Sequence, residues 1–273
     1  MSMTPPQVFA APFDAIAARY DETFTSSKIG QVQRAAVWNE LAKTFSTGVR
    51  TLEIGCGTAE DACFLAELGV RVVACDSSLH MIDVASRKIA GRGLQTLVQA
   101  RLLRAEEFSS LPSDEPFDGA FSNFGVLNCV VDLRKLALDL ARLLKPGANV
   151  LFCWMGPHCL WEMAWYLAQG NREKAFRRLQ RHGVAARVAD GSSVRVHYPS
   201  VRQLVKTFAP EFRLKSVKGI GIAVPPSYAE SWAQRHPRWL QFCEGTDSYL
   251  AKCPGIRGLG DHVVVRLQRE GGD

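Results

Sequence analysis

Short apolar runs alternate with stretches of helical spacing from residue 49 to residue 154. The apolar runs predict five strands, at 51–54, 70–75, 99–103, 117–121 and 149–154. Apolar residues three and four apart predict the helices between them, at 61–68, 79–90 and 133–144. Because strands separated by helices indicate βαβ units, the pattern predicts a Rossmann-like, doubly wound α/β fold, with a mostly parallel sheet and helices on both faces.

Helical spacing also precedes the first of these strands. Apolar residues at positions 13, 16, 17 and 20 predict an amphipathic helix over Phe13 to Asp21, and a second helix is predicted over 35–45. An amphipathic helix covers another part of the protein with its apolar side. We therefore expect residues 1–48 to form N-terminal helices that lie against the core.

The regular alternation lapses after Trp154 and resumes at about Phe212, which indicates a cap insertion after the fifth strand. Further on, the pattern predicts two strands and a helical stretch between them, at 212–224, 261–268 and 228–249. The chain is thus predicted to be a single domain of four parts: N-terminal helices at 1–48, a core at 49–154, the cap at 155–211 and a C-terminal strand pair with its helix at 212–273.

The composition fits this prediction. With 273 residues, 47% of them hydrophobic and 22% charged, the chain is long enough for one large α/β domain. No segment approaches the roughly 18 uninterrupted apolar residues of a membrane span, and the first six residues lack the features of a secretion signal. We expect a cytoplasmic protein. Its eight cysteines never form a Cys-x-x-Cys pair, so we expect neither a metal site nor a disulfide framework.

The net charge of +6 and the isoelectric point near 9.0 would suit an anionic partner. The densest basic stretch begins at Arg172, and helical spacing would place four cations around one side: Lys174, Arg177, Arg178 and Arg181. Two interpretations stay open. The stretch is either a solvated helix face or a contact for an acidic substrate or a phosphate.

The most informative chemistry lies at the predicted first β-to-α corner. Two glycines, Gly55 and Gly57, follow the strand that ends near Glu53, and Asp76 closes the next apolar run 19 residues after Gly57. Glycines at this spacing let the backbone approach a ligand. A carboxylate at the tip of the second strand can accept hydrogen bonds from ribose hydroxyls. Glu60 stands where a dinucleotide fingerprint needs a third glycine. The corner thus favours a nucleoside cofactor with a cationic group and no phosphate.

The run from Glu53 to Thr58, Glu-Ile-Gly-Cys-Gly-Thr, resembles the first motif of class I S-adenosylmethionine-dependent methyltransferases, within the broad ubiquinone-biosynthesis-like group that acts on small molecules. The resemblance covers roughly Phe13 to Phe152. It implies that S-adenosylmethionine is the cofactor, with the glycines along its methionine part. It also implies that Glu53 lies near the amino group and that Asp76 binds the ribose.

The same resemblance extends the predicted site to the tips of the next strands. After the third strand, Ala105 can offer an amide and Glu106 a carboxylate to the adenine, although Arg104 occupies the usual acidic place. Met81 either covers an adenine face or packs at a helix start. The predicted cofactor-binding residues are Glu53, Gly55, Cys56, Gly57, Asp76, Ser77, Met81, Ala105, Glu106, Asn123 and Phe124.

The resemblance implies further features of the fold. The last two strands are expected to form an antiparallel pair that completes a seven-stranded sheet, and the helix Phe13 to Asp21 resembles a lid over the cofactor. A packing role at the core edge is the alternative for that helix. Four aromatic residues of the cap either line an apolar acceptor pocket or belong to an ordinary core, namely Trp161, Trp165, Tyr166 and Phe176.

Methyl transfer from a sulfonium needs alignment and a dry cavity more than a catalytic triad. Candidate bases for a hydroxyl or ammonium acceptor are His158, which follows the fifth strand, Tyr20 in the lid, and the pair His197 and Tyr198. We take His158 as the first choice. Asn123 and Asn128, after the fourth strand, are interpreted as turn residues more readily than as polar anchors.

The sequence thus predicts a methyltransferase that acts on a small or lipid-like metabolite at oxygen, nitrogen or carbon. Two alternatives stay open. One is an RNA methyltransferase that uses the basic region Arg172–Arg187, although no separate RNA-binding module accompanies the core and nucleic acid is disfavoured. The other is a cofactor-binding partner subunit without turnover of its own. The sequence does not determine the oligomeric state.

Overall fold

A computed structural model describes residues 11–189 and 192–271. Nine strands are present in this part of the chain: β1 Arg50–Ile54, β2 Arg71–Asp76, β3 Val98–Leu102, β4 Phe117–Ser122, β5 Leu144–Trp154, β6 Val184–Ala189, β7 Ser192–Val196, β8 Phe212–Ile220 and β9 His262–Arg269. Seven of them form one sheet in the order β3-β2-β1-β4-β5-β9-β8, and β6 and β7 form a separate antiparallel hairpin.

Nine α-helices accompany these strands in the same described ranges: α1 Lys28–Thr44, α2 Glu60–Glu67, α3 Leu79–Gly91, α4 Leu133–Leu143, α5 Leu160–Ala168, α6 Arg172–Ala175, α7 Val201–Phe208, α8 Glu230–Arg235 and α9 Pro237–Leu250. The predicted N-terminal helix is a 3₁₀ turn at Asp14–Arg19 followed by a π turn at Asp21–Thr25. Helices α2, α3 and α4 lie within one residue of their predicted ends, whereas α1 begins seven residues earlier than predicted.

The large sheet is mostly parallel, which confirms the predicted fold class. Strands β1 to β5 run in the same direction, and β9 is inserted antiparallel between β5 and β8. The order reverses between β1 and β4, so a crevice opens there at the carboxyl ends of the strands. This switch point is where doubly wound folds bind their ligands.

Helices cover both faces of the sheet. On one face, α1, α2 and α3 contribute buried apolar side chains such as Leu41, Leu65 and Ile82 to one core cluster. On the other face, α4 packs beside α7, whose Phe208 ring lies 5.1 Å from that of Phe152 in β5. Helix α7, which the sequence analysis assigned to the cap, therefore belongs to the core layer, because its apolar side is buried against the sheet.

The cap is tied to the core by buried ion pairs rather than by a basic helix face. The predicted helix breaks after α6, and the 3₁₀ turn Arg177–Leu179 directs Arg178 inward, where its side chain is only 5% exposed. Arg178 donates to Glu162 in α5 at 2.8 Å and to Asp261, which precedes β9, at 2.7 Å. Arg177 also pairs with Glu162. Two of the predicted clustered cations are thus neutralised inside the protein.

Candidate functional site

The corner between β1 and α2 has the conformation that its glycines were predicted to permit. Gly55 and Gly57 adopt left-handed backbone angles, with φ of 68° and 52°. A Cβ atom on Gly55 would lie 2.3 Å from Cγ1 of Val126, because the loop after β4 packs directly against it. The corner therefore has room for main chain only. Its backbone forms part of the surface of a neighbouring cavity.

Asp76, at the end of β2, holds this corner in place. One carboxylate oxygen accepts a hydrogen bond from the backbone amide of Gly57 at 2.8 Å, and the other accepts one from the backbone amide of Ser78 at 2.9 Å. Burial raises the pKa of Asp76, although these backbone hydrogen bonds oppose the shift. The carboxylate thus connects two strand tips. Each of its oxygens retains a lone pair that can accept a ligand hydroxyl.

The strand tips open into a cavity of about 580 Å³. Its volume lies within the roughly 300–1,000 Å³ that small-molecule sites occupy. One wall is formed by the corner 55–58, the end of β2 and residues 123–126 after β4. The opposite wall comes from the N-terminal segment and from the hairpin of β6 and β7. The cavity therefore lies between the core and the cap.

The N-terminal segment covers the cavity as a lid. Phe13, Ile16 and Tyr20 line it. Two aspartates fasten the segment to the core: Asp14 accepts a hydrogen bond from the Ser78 hydroxyl, and Asp21 accepts one from Thr58 at 2.7 Å. Asp21 also forms an ion pair with Lys88 of α3 at 2.9 Å. These contacts join the lid to both sides of the strand tips.

A second polar group lies beside β4. Asp61, in the first turn of α2, is 4% exposed and accepts hydrogen bonds from Arg34, from the Trp38 indole at 2.7 Å and from the Asn123 amide at 2.9 Å. Asn123 is thus a polar anchor and not a turn residue. The following residue, Phe124, has a φ of 53°, an uncommon angle for a side chain of this size. Strained angles of this kind cluster at ligand sites.

The hairpin of β6 and β7 supplies the apolar end of the cavity. Its apolar lining comes from Ala186, Val188, Val194 and Val196, beside Met155 and Val126 of the core, and Arg187 of the hairpin also borders the cavity. Asn128 holds the hairpin in position, because its side-chain amide donates to the carbonyl oxygen of His197 at 2.6 Å and to that of Met155 at 2.8 Å. Asn128 is completely buried and is therefore also an anchor.

The carboxylates that the sequence placed beside the glycines are arranged differently from the prediction. Glu60 lines the cavity but is neutralised by Lys88 at 2.7 Å and Arg92 at 2.8 Å. Glu53 lies inside the sheet, 2% exposed and behind the cavity wall. Burial and the nearby Asp61 raise the pKa of Glu53 well above its ordinary value. Asp61 is paired with Arg34, so Asp76 is the carboxylate on the cavity surface that has no ion pair partner within the described residues.

Most of the predicted cofactor residues meet at the cavity, namely Gly55, Cys56, Gly57, Asp76, Ser77, Met81, Asn123 and Phe124, whereas Glu53, Ala105 and Glu106 are not on its surface. The turn that carries Ala105 and Glu106 is held against α4, where Lys135 donates to the Glu106 carbonyl oxygen at 2.8 Å. The position of Ala105 and Glu106 therefore does not support their predicted contact with adenine. The geometry of Asp76 and Met81 suits the roles predicted for them.

The candidate bases are dispersed. Of these candidates only Tyr20 lines the cavity, and burial raises its pKa to about 12, so its hydroxyl stays protonated at neutral pH and can donate a hydrogen bond but does not act as a base. His158 is exposed in the turn before α5, because the chain there bends away to pair Leu160 with Leu259. His197 and Tyr198 lie at the base of the hairpin, outside the cavity surface. The position of His158 thus does not favour it as the base.

Several cavity residues had no sequence signal. Arg34 and Asp61 were missed because their side chains meet only in the folded protein, and the hairpin was missed because arginine and serine residues interrupt the apolar positions of its strands. Conversely, the cap aromatics predicted for the acceptor pocket lie elsewhere. Trp161 donates to the Ala223 carbonyl oxygen at 3.0 Å, and Trp165 packs against Tyr228.

The cavity fits the nucleoside cofactor that the sequence predicts. Main chain at Gly55 occupies a position where any side chain would collide with Val126, and Asp76 offers acceptors at the rim. Two polar atoms of buried residues on the cavity wall have no hydrogen-bond partner within the described residues, Oδ1 of Asn123 and Nε of Arg34. A ligand with both donors and acceptors would satisfy them.

Comparison with known proteins gives a consistent result. Residues 52–150 match the family described as a methyltransferase domain. The demethylmenaquinone methyltransferase of Clavibacter sepedonicus is 35% identical over 154 residues, which cover 56% of this chain and 60% of that protein. The tRNA 5-carboxymethoxyuridine methyltransferase of Escherichia coli strain K12 is 28% identical over 152 residues, covering 54% of this chain and 58% of that protein.

Solved structures share the fold over nearly the whole chain. The CcbJ methyltransferase from Streptomyces caelestis superposes with a TM-score of 0.62 at 16% identity, covering 96% of this chain and 99% of that one. The predicted resemblance is thus confirmed: residues 52–150 match a methyltransferase domain, and a solved methyltransferase structure shares the fold of the chain. The chain spans about 60% of the length of the curated relatives it matches.

Replacing Gly55 with alanine is expected to weaken binding of S-adenosylhomocysteine about tenfold, because the new Cβ displaces Val126 toward the cavity and because a non-glycine residue in this conformation costs roughly 1–3 kcal/mol. Gly48→Ala is a matched control. Gly48 also has a positive φ, 89°, but no neighbouring atom within 4 Å of its Cβ position. Calorimetric titration of both variants separates the collision from backbone strain, and equal affinities would contradict this account.

Proposed function

We propose that the chain is an S-adenosylmethionine-dependent methyltransferase whose acceptor is a small or lipid-like metabolite with a largely apolar body. The observation that carries the proposal is the composition of one cavity. A main-chain corner and the Asp76 carboxylate form one end, and valines of a hairpin form the other. The first end suits a nucleoside, and the second suits an apolar acceptor.

The residues of the cavity divide the tasks of the reaction. The corner at Gly55 and Gly57 receives the methionine part of the cofactor. Asp76 accepts hydrogen bonds from the ribose hydroxyls, and Met81 covers the adenine ring. S-adenosylmethionine, when bound, supplies a methyl group on a sulfonium with an excellent leaving group. The protein then contributes alignment between the two ends of the cavity and exclusion of water by the lid.

Proton removal is not assigned to a histidine in this proposal, since none lines the cavity within the described residues. Because its pKa is raised, Tyr20 keeps its hydroxyl hydrogen and donates a hydrogen bond, which orients an oxygen of the acceptor or of the cofactor. Alignment alone can supply roughly 7–11 kcal/mol of a barrier in favourable cases. A carbon or already nucleophilic acceptor fits such a site without a strong base.

The structure weakens the RNA alternative, although one relative is named as a tRNA methyltransferase. Arg177 and Arg178, in the middle of the predicted phosphate-binding region, form ion pairs with Glu162 and Asp261. Their charges are therefore directed inward and are compensated. Arg172, Lys174 and Arg181 of this region are exposed, but the inward pairing of Arg178 and the pairing of Arg177 divide the basic cluster, so we favour a metabolite as the acceptor.

We also propose a cytoplasmic location. All eight cysteines are unpaired, as is usual in a reducing compartment. Separately, none of the helices in the part of the chain that the structure describes has the length and apolar character needed to cross a bilayer. Fractionation of cells that express a tagged chain tests the location directly.

Calorimetry tests the cofactor, and labelling tests the acceptor. The purified chain is expected to bind S-adenosylmethionine and S-adenosylhomocysteine but neither NADH nor ATP. Incubation with methyl-labelled cofactor and separate metabolite, lipid and RNA fractions of a cell extract should then label a metabolite or a lipid. Label in RNA alone would overturn the acceptor proposal, and binding without any transfer would support a partner subunit without turnover.

Val194→Asp tests the apolar end of the cavity. Because a carboxylate in an apolar site is costly to desolvate, we expect the KM for the acceptor to rise about tenfold or more, with cofactor affinity unchanged. Ser193→Asp is the matched control, since alternation along β7 directs Ser193 to the exposed side. Equal acceptor kinetics for the two variants would show that the hairpin does not contact the acceptor.

A further inference from the structure

Helix α9 carries three large aromatic side chains that are exposed to solvent. Trp239, Phe242 and Tyr249 are 59%, 64% and 80% exposed, although aromatic residues are normally among the more buried. Their spacing of three and seven residues places them on one side of the helix. Phe242 and Tyr249 flank a shallow groove of about 320 Å³ over Gly245. We call these three residues the aromatic row.

Basic side chains stand at the beginning of the aromatic row. Arg235 and Arg238 are exposed, and neither lies within ion-pair distance of a carboxylate in residues 11–189 and 192–271. Glu244, the exposed acid of this helix, falls nearly opposite the row at about 100° per residue. The Asp247 side chain is directed inward, where it accepts hydrogen bonds from the backbone amides of Ile222 and Ala223.

We propose that this side of α9 docks on the surface of an anionic phospholipid bilayer. Tryptophan and tyrosine are favoured at the boundary between headgroups and acyl chains, and an interfacial helix combines such an apolar side with flanking cations. Each lysine or arginine near an anionic surface adds about 1 kcal/mol of attraction. The helix lies on the bilayer and does not cross it.

Charge argues against a second copy of the chain as the occupant. A symmetric contact would place the same surface on both molecules. Arg235 and Arg238 of one copy would then approach the same cations of the other, and Glu244, the exposed acid of α9, lies on the opposite side of the helix. Like charges brought together in this way oppose association. An anionic lipid surface supplies the missing negative charge.

Flotation of the full chain with vesicles is the test. We expect the protein to float with phosphatidylcholine vesicles that contain phosphatidylglycerol, and to float much less with phosphatidylcholine alone or at high salt. Trp239→Ser/Phe242→Ser should lower the partition coefficient about tenfold, because each ring can bury a large apolar area. Arg235→Gln/Arg238→Gln should lower it about fivefold for each cation removed.

Matched controls come from exposed positions elsewhere. Val131→Ser/Leu138→Ser removes two exposed apolar side chains near α4, at 86% and 49% exposure, and should leave flotation unchanged. Arg202→Gln/Lys206→Gln on α7 serves the same purpose for charge. Calorimetry with S-adenosylhomocysteine verifies that every variant keeps its cofactor affinity, so a failed docking surface is distinguished from a failed cofactor site.

Three results would overturn the proposal. The first is no flotation with anionic vesicles at low salt. The second is flotation that the aromatic and basic variants do not reduce beyond their controls. The third is a concentration-dependent dimer, detected by light scattering, that Trp239→Ser/Phe242→Ser converts to monomer while vesicle binding is absent.

Discussion

Replacing Glu162 with alanine is expected to lower the free energy of unfolding by about 3–5 kcal/mol, the cost of removing one partner from a buried ion pair. Glu162 is 1% exposed and accepts four hydrogen bonds from Arg177 and Arg178. Without it, Arg178 stays buried with Asp261 as its remaining partner. Urea unfolding followed by circular dichroism measures the difference.

Glu173→Ala is the matched control for this prediction. Glu173 is exposed on α6, in the same cap, and its loss should change stability by less than about 1 kcal/mol. Equal midpoints for the two variants would contradict a structural role of the buried pair. Cofactor affinity, measured beside stability, shows whether loosening the cap also disturbs the cavity.

Acid should abolish the difference between wild type and Glu162→Ala. Burial alone would raise the pKa of Glu162, but Arg177 and Arg178 outweigh it and hold the pKa below the ordinary value of 4.5. A lowered folded-state pKa contributes stability above the unfolded-state value and loses it as pH falls through the folded-state value. The two stability curves should therefore converge below about pH 4.5.

Asp76→Ala is expected to weaken binding of S-adenosylmethionine about 100-fold, or about 2.7 kcal/mol, which lies within the range for one hydrogen bond to a charged acceptor. The variant also leaves the amides of Gly57 and Ser78 without their acceptor, so the corner loses its fixed shape. The fold should persist, because Asp76 lies at the end of β2 and outside both core clusters. Calorimetric titration measures the affinity.

Asp83→Ala provides the comparison for Asp76→Ala. Asp83 is an exposed carboxylate on α3, and it does not line the cavity. Its removal changes the net charge by the same amount and should leave the affinity within about a factor of two. If both variants lost affinity equally, the effect would be one of overall charge and not of ribose recognition.

The core could be predicted from the sequence because its signals are local. Short apolar runs mark β1, β2, β4 and the second half of β5, which begins at Leu144 and not at the predicted residue 149. Because the helices between the strands have their own period, the doubly wound arrangement follows from alternation. Gly55, Gly57 and Asp76 are likewise fixed by their spacing. Sequence-local patterns do not reveal partners in other segments, and Asp61 was missed because Arg34, Trp38 and Asn123 meet it only through tertiary contacts.

The cap was harder to predict for the same reason. Helical spacing placed Arg177 and Arg178 on an exposed side, but the helix ends at Ala175 and the next turn directs Arg178 toward acids that are distant in the sequence. The choice of His158 as base assumed that a residue just past a strand tip points into the crevice. After β5 the chain instead turns away from it.

The insertion of β9 between β5 and β8 has a consequence for synthesis on the ribosome. Strand β8 emerges first, yet it has no neighbour to pair with until β9 follows about 40 residues later. During that interval the nascent chain carries two unsatisfied strand edges, one on β5 and one on β8. Such edges attract other strands, so this is the stage of biogenesis at which protection by chaperones matters most for this protein.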